Sequence, residues 1–144
     1  MLKEKMRIGG KKIEGENGSL DVINPFNEEK IGNVPQASNG QVDKAMEIAK
    51  NFKPKLTRYE RQQILSKTAE LLVSRRDEIS DLITAESGLS KKDSLYEVGR
   101  AFDVFSLTGQ LCILDDGQIF SCDLTPHGQK RKIFTQREPL QGVI

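Results

Sequence analysis

Cysteine and histidine are scarce in these 144 residues: there are two cysteines, Cys112 and Cys122, and one histidine, His127. Two thiols make no disulfide framework, and with a single imidazole they supply too few ligands for a cysteine/histidine metal cluster. A nucleophilic thiol needs a base, yet no motif with a base surrounds either cysteine, and His127 sits in a turn-like Thr125-Pro126-His127-Gly128. Incidental or buried thiols are the plainer reading. A Cys112–Cys122 disulfide is geometrically imaginable, but a cytoplasmic chain keeps both thiols reduced.

Charge of one sign is also missing. Lysine and arginine total 22 against 21 aspartates and glutamates, a net +1 with the signs interspersed. Nothing there favours long-range attraction of nucleic acid, anionic membrane or acidic substrates. Met1 to Arg7 is charged and is not followed by an apolar core of signal-peptide length, and no run approaches a membrane span, so the expected location is cytoplasmic. Gly9, Gly10, Gly15 and Gly18 form neither a G-x-G-x-x-G nor a Walker lysine pattern, and read as turns rather than as a phosphate loop.

What is present is an ordinary globular balance, 36% apolar and 30% charged, at the length of one domain. Arg7-Ile8, Gly9-Gly10 and Lys11-Lys12-Ile13 predict a small hairpin. Leu20-Asp21-Val22-Ile23 predicts a short strand that Asn24-Pro25 ends, because proline lacks the N–H a ladder needs. From Ser38 the period becomes helical. Ser38 with Gln41 is a capping box, with Val42, Ala45, Met46 and Ala49 as one stripe up to Pro54. Thr57 with Glu60 is a second, opening a helix whose Ile64, Leu65, Thr68, Leu71 and Leu72 share a face.

A third helix is expected from about Arg76, with Asp77 and Glu78 favourable in its first turn, Ile79, Leu82 and Ile83 buried, and Gly88 as its stop. Ser90-Lys91-Lys92-Asp93 opens a fourth, in which Leu95, Val98, Phe102 and Phe105 keep the spacing to Gly109. Amphipathic helices of this kind normally bury their stripes in a shared core rather than offering a ligand groove. Gln118 to Cys122 and Lys130 to Arg137 flank the turn-rich 123–129 segment and predict a second hairpin. Its Lys130, Arg131, Lys132 and Arg137 alternate with apolar residues as a solvated strand face does, which argues against a nucleic-acid patch.

Four segments, taken in order, carry a resemblance: Ile8-Gly9-Gly10; Val22-Ile23-Asn24-Pro25-Phe26-Asn27 running on to Ile31-Gly32-Asn33-Val34; Arg58-Tyr59-Glu60-Arg61-Gln62-Gln63-Ile64-Leu65; and Glu86-Ser87-Gly88. Their order and spacing resemble the N-terminal part of the NAD(P)-dependent aldehyde dehydrogenase family. Arg137-Glu138-Pro139 is similar to the family's lead into its first Rossmann strand, with Gln141 as an additional residue before Gly142. Cys122 to Gly128 looks similar to the branch that handles small hydroxy- or phosphono-aldehydes, the lactaldehyde and phosphonoacetaldehyde dehydrogenases.

The resemblance implies that a family member adds a thiolate to an aldehyde, passes hydride to the nicotinamide of NAD or NADP, and releases the acid with water. It also implies that the family's nucleophilic cysteine, general-base glutamate, oxyanion asparagine and cofactor-contacting lysine and glutamate match positions beyond Ile144. No catalytic, cofactor-binding or metal residue is therefore assigned between Met1 and Ile144, and this chain alone is expected to be inactive and to bind no cofactor.

The expected fold of the chain is α+β: early β elements and a helical layer over 1–117, belonging to the cofactor domain, an oligomerisation hairpin over 118–138, and the stub of a Rossmann strand over 139–144. The parent fold is α/β. An exposed apolar side of the helical layer predicts self-association, or association with the remainder of a dehydrogenase. The alternative reading is a non-catalytic interaction or oligomerisation module that keeps the helices and hairpin.

Overall fold

The computed structural model describes residues 2–114 and 116–138. The expected Rossmann stub at 139–144 lies outside them. The predicted first hairpin is present as β2 and β3 of a seven-strand set that begins with β1 (Leu2–Lys3): β2 (Met6–Ile8) pairs antiparallel with β3 (Lys11–Ile13), and Gly9 and Gly10 make the turn at φ 57° and 78°. Both values lie where side chains are penalised, which is why two glycines stand there.

Strand β4 (Ser19–Ile23) stops at Asn24-Pro25 as expected. The Asn24 side-chain oxygen then accepts from the Phe26 N–H at 2.9 Å, closing a tight turn that delivers the chain to β5 (Lys30–Pro35). No strand is assigned at 30–35 from the sequence. Yet β5 is the centre of the sheet, antiparallel to β4 and parallel to β1. Gly32 is buried in it. Pairing on both sides supplies the backbone hydrogen bonds that the local propensity does not favour.

All four predicted helices form: α1 (Asn39–Asn51), α2 (Arg58–Ser74), α3 (Arg76–Ser87) and α4 (Lys91–Leu114). The capping boxes at Ser38/Gln41 and Thr57/Glu60 are both complete. Gly88 ends α3 in the left-handed region at φ 75°. Gln41 does more than cap. Its side-chain oxygen accepts from the N–H of Ser38 and of Glu16, each at 3.1 Å, and its amide donates to the Glu14 carbonyl at 2.9 Å, tying α1 to the segment between β3 and β4. That explains how a buried glutamine is fully satisfied.

The helical core is the crossing of α2 and α4, with Ala69 and Val98 its buried apolar residues. Two expectations are corrected here. The buried face of α2 is centred on Leu65, Ala69 and Leu72, while Ile64 and Leu71 remain 52% and 49% exposed. A small residue, Ala69, lets α4 approach on that side, and a count of large apolar residues alone misplaces the seam. Gly109 also does not close α4, which continues to Leu114. It is buried at the crossing, where an added Cβ would lie 3.6 Å from the Leu65 Cβ and 3.9 Å from the Gln62 carbonyl oxygen. The glycine serves helix contact.

Between α3 and α4 the seam is polar. The Ser80 and Ser94 hydroxyls are fully buried 2.7 Å apart, and Thr84 donates to the Ser94 oxygen at 3.0 Å. In α1 the stripe is only half covered, with Val42 and Met46 exposed beside half-buried Ala45 and Ala49. The second predicted hairpin is present but shorter than expected, β6 (Ile119–Ser121) against β7 (Lys132–Phe134), with Phe120 opposite Ile133.

Candidate functional site

No site residue is assigned from the sequence, so the question is what the described residues bring together. Cys112 is half-buried on α4, Cys122 is half-buried just after β6, and both are free thiols. Cys122 leans on the Phe120 carbonyl, with sulfur to oxygen 3.8 Å. His127 lies in the turn between β6 and β7. Among the described residues no three of the histidine, cysteine, aspartate and glutamate side chains gather as a metal centre would require.

The titratable groups with shifted pKa values serve local structure. Hydrogen bonding and attraction from Lys12 hold the Glu4 carboxyl below the usual range. The Thr57 backbone N–H and hydroxyl do the same to Glu60 in its capping box. A hydrogen bond from Arg75 lowers Glu78, and the same pair raises Arg75. All lie on the surface, and none faces a cleft in the manner of a tuned catalytic acid or base.

The prominent functional feature is a surface, carried by α4. One side of this helix, through Ser94, Val98, Phe105 and Gly109, packs on α2 and α3. The opposite side repeats Val104, Leu107, Leu111 and Leu114 at spacings of three and four, and is exposed, Leu107 at 60% and Leu111 at 62%. A helix apolar on both sides is built to be sandwiched. The outer row is additional to the Leu95, Val98, Phe102 and Phe105 set expected on this helix. The signal was readable: Val104, Leu107, Leu111 and Leu114 form a second periodic set that the first set obscures. The hairpin adds Ile119 and Phe134, also exposed. Among the described residues no helix is long and apolar enough to cross a membrane.

Three of the helix N-termini, those of α1, α2 and α4, carry their own side-chain caps, while α3 begins at Arg75 with no side-chain cap hydrogen bond. Ser38, Thr57 and Ser90 hydroxyls each accept from the N–H three residues on, at 3.2 Å. A concave site of a different type lies between the start of α2, the end of α4 and the segment after β7, a cleft of about 390 Å³ lined, among the described residues, by Arg61, Thr108, Leu111, Cys112, Leu114 and Arg137.

Residues 12–144 match the model of the aldehyde dehydrogenase family. Among curated relatives, the 3-sulfolactaldehyde dehydrogenase of Priestia aryabhattai is 29% identical over 126 residues, covering 87% of this chain and 26% of the relative. The lactaldehyde dehydrogenase of Methanocaldococcus jannaschii is 28% identical over 142 residues, covering 96% and 29%. Among solved structures, aldehyde dehydrogenase 21 from Physcomitrella patens, in complex with succinate, superposes with a TM-score of 0.82 at 28% identity, over 90% of this chain and 28% of that one. The NADP-dependent glyceraldehyde-3-phosphate dehydrogenase of Bacillus halodurans, complexed with NADP, gives 0.83 at 26% identity, over 97% and 30%. The chain thus spans between a quarter and a third of the length of these relatives.

Proposed function

The chain belongs to the aldehyde dehydrogenase family, and we propose from this premise that it supplies the N-terminal strands, helical layer and hairpin of an enzyme that oxidises an aldehyde to an acid with NAD or NADP. The match over residues 12–144 carries the proposal. The division in this reading is 1–117 for the strands and helical layer of the cofactor domain, 118–138 for the oligomerisation hairpin, and 139–144 for the start of the first Rossmann strand.

The family's cofactor is a nicotinamide dinucleotide, which accepts the hydride. A pyrophosphate cradle is not assigned to the described residues. A dinucleotide pyrophosphate sits on a glycine-rich turn that leads from a strand into a helix N-terminus; here α1, α2 and α4 start at the capping side chains of Ser38, Thr57 and Ser90, and α3 follows α2 directly at Arg75 with no glycine-rich turn before it. No step of the reaction is therefore assigned to residues 2–138. Their role in this reading is architectural: the outer stripe of α4 is covered by the rest of a dehydrogenase polypeptide, and the hairpin contributes to subunit pairing. The substrate is a small hydroxy- or phosphono-aldehyde, supported by the likeness to proteins named lactaldehyde and 3-sulfolactaldehyde dehydrogenase.

The test is the intact mass of the native polypeptide, with aldehyde oxidation by the same sample, using lactaldehyde and either NAD or NADP. A mass well above 16.1 kDa with activity is expected. An inactive species of 16.1 kDa would replace the proposal with the interaction-module reading.

A further inference from the structure

The start of α1 is clamped from both sides of one peptide bond, that between Asn17 and Gly18. The Asn17 N–H donates to the Gln36 carbonyl at 3.1 Å, and the Gln36 N–H donates to the Gly18 carbonyl at 2.9 Å. The Asn17 side-chain amide donates to the Ala37 carbonyl at 3.1 Å, next to the Ser38 cap, whose hydroxyl donates to the Glu16 carboxylate. The peptide unit between these anchors is idle. Among the described residues neither the Asn17 carbonyl nor the Gly18 N–H takes part in a hydrogen bond.

Asn-Gly occurs at two places in the chain, Asn17-Gly18 and Asn39-Gly40, and both asparagines are exposed. Glycine has no Cβ to obstruct the approach of its nitrogen to the preceding side-chain amide. That approach requires the intervening peptide unit to turn. In the first turn of α1 the rotation pulls the Asn39 carbonyl out of its helical hydrogen bond. At Asn17 it breaks no backbone hydrogen bond.

We propose that Asn17 is a site of covalent modification, deamidation through a cyclic imide, and that the modification loosens the start of α1. The Gly18 nitrogen loses its proton to base and bonds to Asn17 Cγ; the Cγ–Nδ2 bond breaks, ammonia leaves and the imide closes. Water opens the ring at either of its carbonyls, leaving an aspartate or, with the main chain rerouted through Cγ, an isoaspartate. No oxidant or reductant is needed. The amide that donated to the Ala37 carbonyl becomes a carboxylate, which only accepts, and which stands next to Glu16 in the chain. The site is independent of the dehydrogenase reading, and its failure leaves that reading intact.

The intact 144-residue chain is held at mildly alkaline pH while peptide mass spectrometry follows conversion at Asn17 and Asn39. In the folded chain Asn17 should react about fivefold faster than Asn39, the factor that one retained backbone hydrogen bond of about 1 kcal/mol supplies. In concentrated urea the two rates should converge. Equal rates in the folded chain, or a faster Asn39, would overturn the assignment. Hydrogen exchange then reads the consequence at the Glu16, Ser38 and Gln41 amides, which the clamp holds. Asn17→Asp should speed their exchange more than Asn17→Ala, which removes the donor without adding a charge. Asn39→Asp, a carboxylate in the first turn of a helix, should not speed it. Unaltered exchange in Asn17→Asp would overturn the loosening of α1.

Discussion

The hydroxyls of Ser80 and Ser94 meet at 2.7 Å across the α3–α4 seam with no exposure to solvent. Ser94 accepts from Thr84 and donates to the Lys91 carbonyl at 3.1 Å, so one small side chain satisfies three other groups. Ser94→Ala leaves the Ser80 and Thr84 hydroxyls short of a partner and is expected to cost about 1–3 kcal/mol, the usual penalty for orphaned buried polar groups. Ser80→Ala/Ser94→Ala should cost less than the sum of the two single changes, because the second removes a group the first has orphaned. Urea unfolding of the three variants checks both statements.

Gly109 sets opposite expectations for small and large replacements. Its hypothetical Cβ would make ordinary contacts, 3.6 Å to Leu65 and 3.7 Å to the Ser66 hydroxyl. Gly109→Ala should therefore be neutral or stabilising by up to about 1 kcal/mol, through helix propensity. Gly109→Leu has no room, and should destabilise by about 1–3 kcal/mol as α2 and α4 are forced apart. Thermal melts should show Gly109→Leu lowered and Gly109→Ala unchanged or raised.

Acid should weaken the fold through named carboxyls. Glu4, Glu60 and Glu78 all have pKa values lowered in the folded chain from 4.5. Folding thus favours their ionised forms. Their contributions are fully present above the unfolded value and are lost as pH falls through the folded one. The urea midpoint should fall between about pH 5 and about pH 3, the range in which carboxyls titrate. Glu60→Gln and Glu78→Gln together should flatten that dependence; an unchanged slope would count against these pairs. Thr57→Ala, which removes the cap itself, is expected to cost about 1 kcal/mol.

The outer stripe of α4 predicts association. At 60% and 62% exposure, Leu107 and Leu111 lie in an apolar row that includes Val104 and Leu114. Exposed rows of this size drive self-contact. Sedimentation of the 144-residue chain should show mass rising with concentration, and Leu107→Lys with Leu111→Lys should reduce it. A monodisperse, cooperatively melting monomer would sink this expectation.

Local signals were legible where the chemistry is local. Ser38 with Gln41, Thr57 with Glu60, Gly9-Gly10 and Gly88 each state their role within a few residues, because a cap or a left-handed turn is decided by neighbouring backbone. The family resemblance was legible for a similar reason, since it rests on ordered short segments such as Asn24-Pro25 and Arg58 to Leu65. The candidate cleft was not, because Arg61, Thr108 and Arg137 are far apart in sequence and belong to separate elements.

The sequence by itself determined the four helices, the two hairpin turns and the kind of family to which the chain belongs, through periodicity, capping and turn chemistry. Tertiary structure alone decided which apolar rows are covered. Leu65 and Ala69 face α4 while Ile64 turns outward; Gly109 is a contact rather than an end; and Lys30–Pro35 becomes a central strand. A helix stripe records that a residue wants burial, and only the partner's position and size determine whether it is buried.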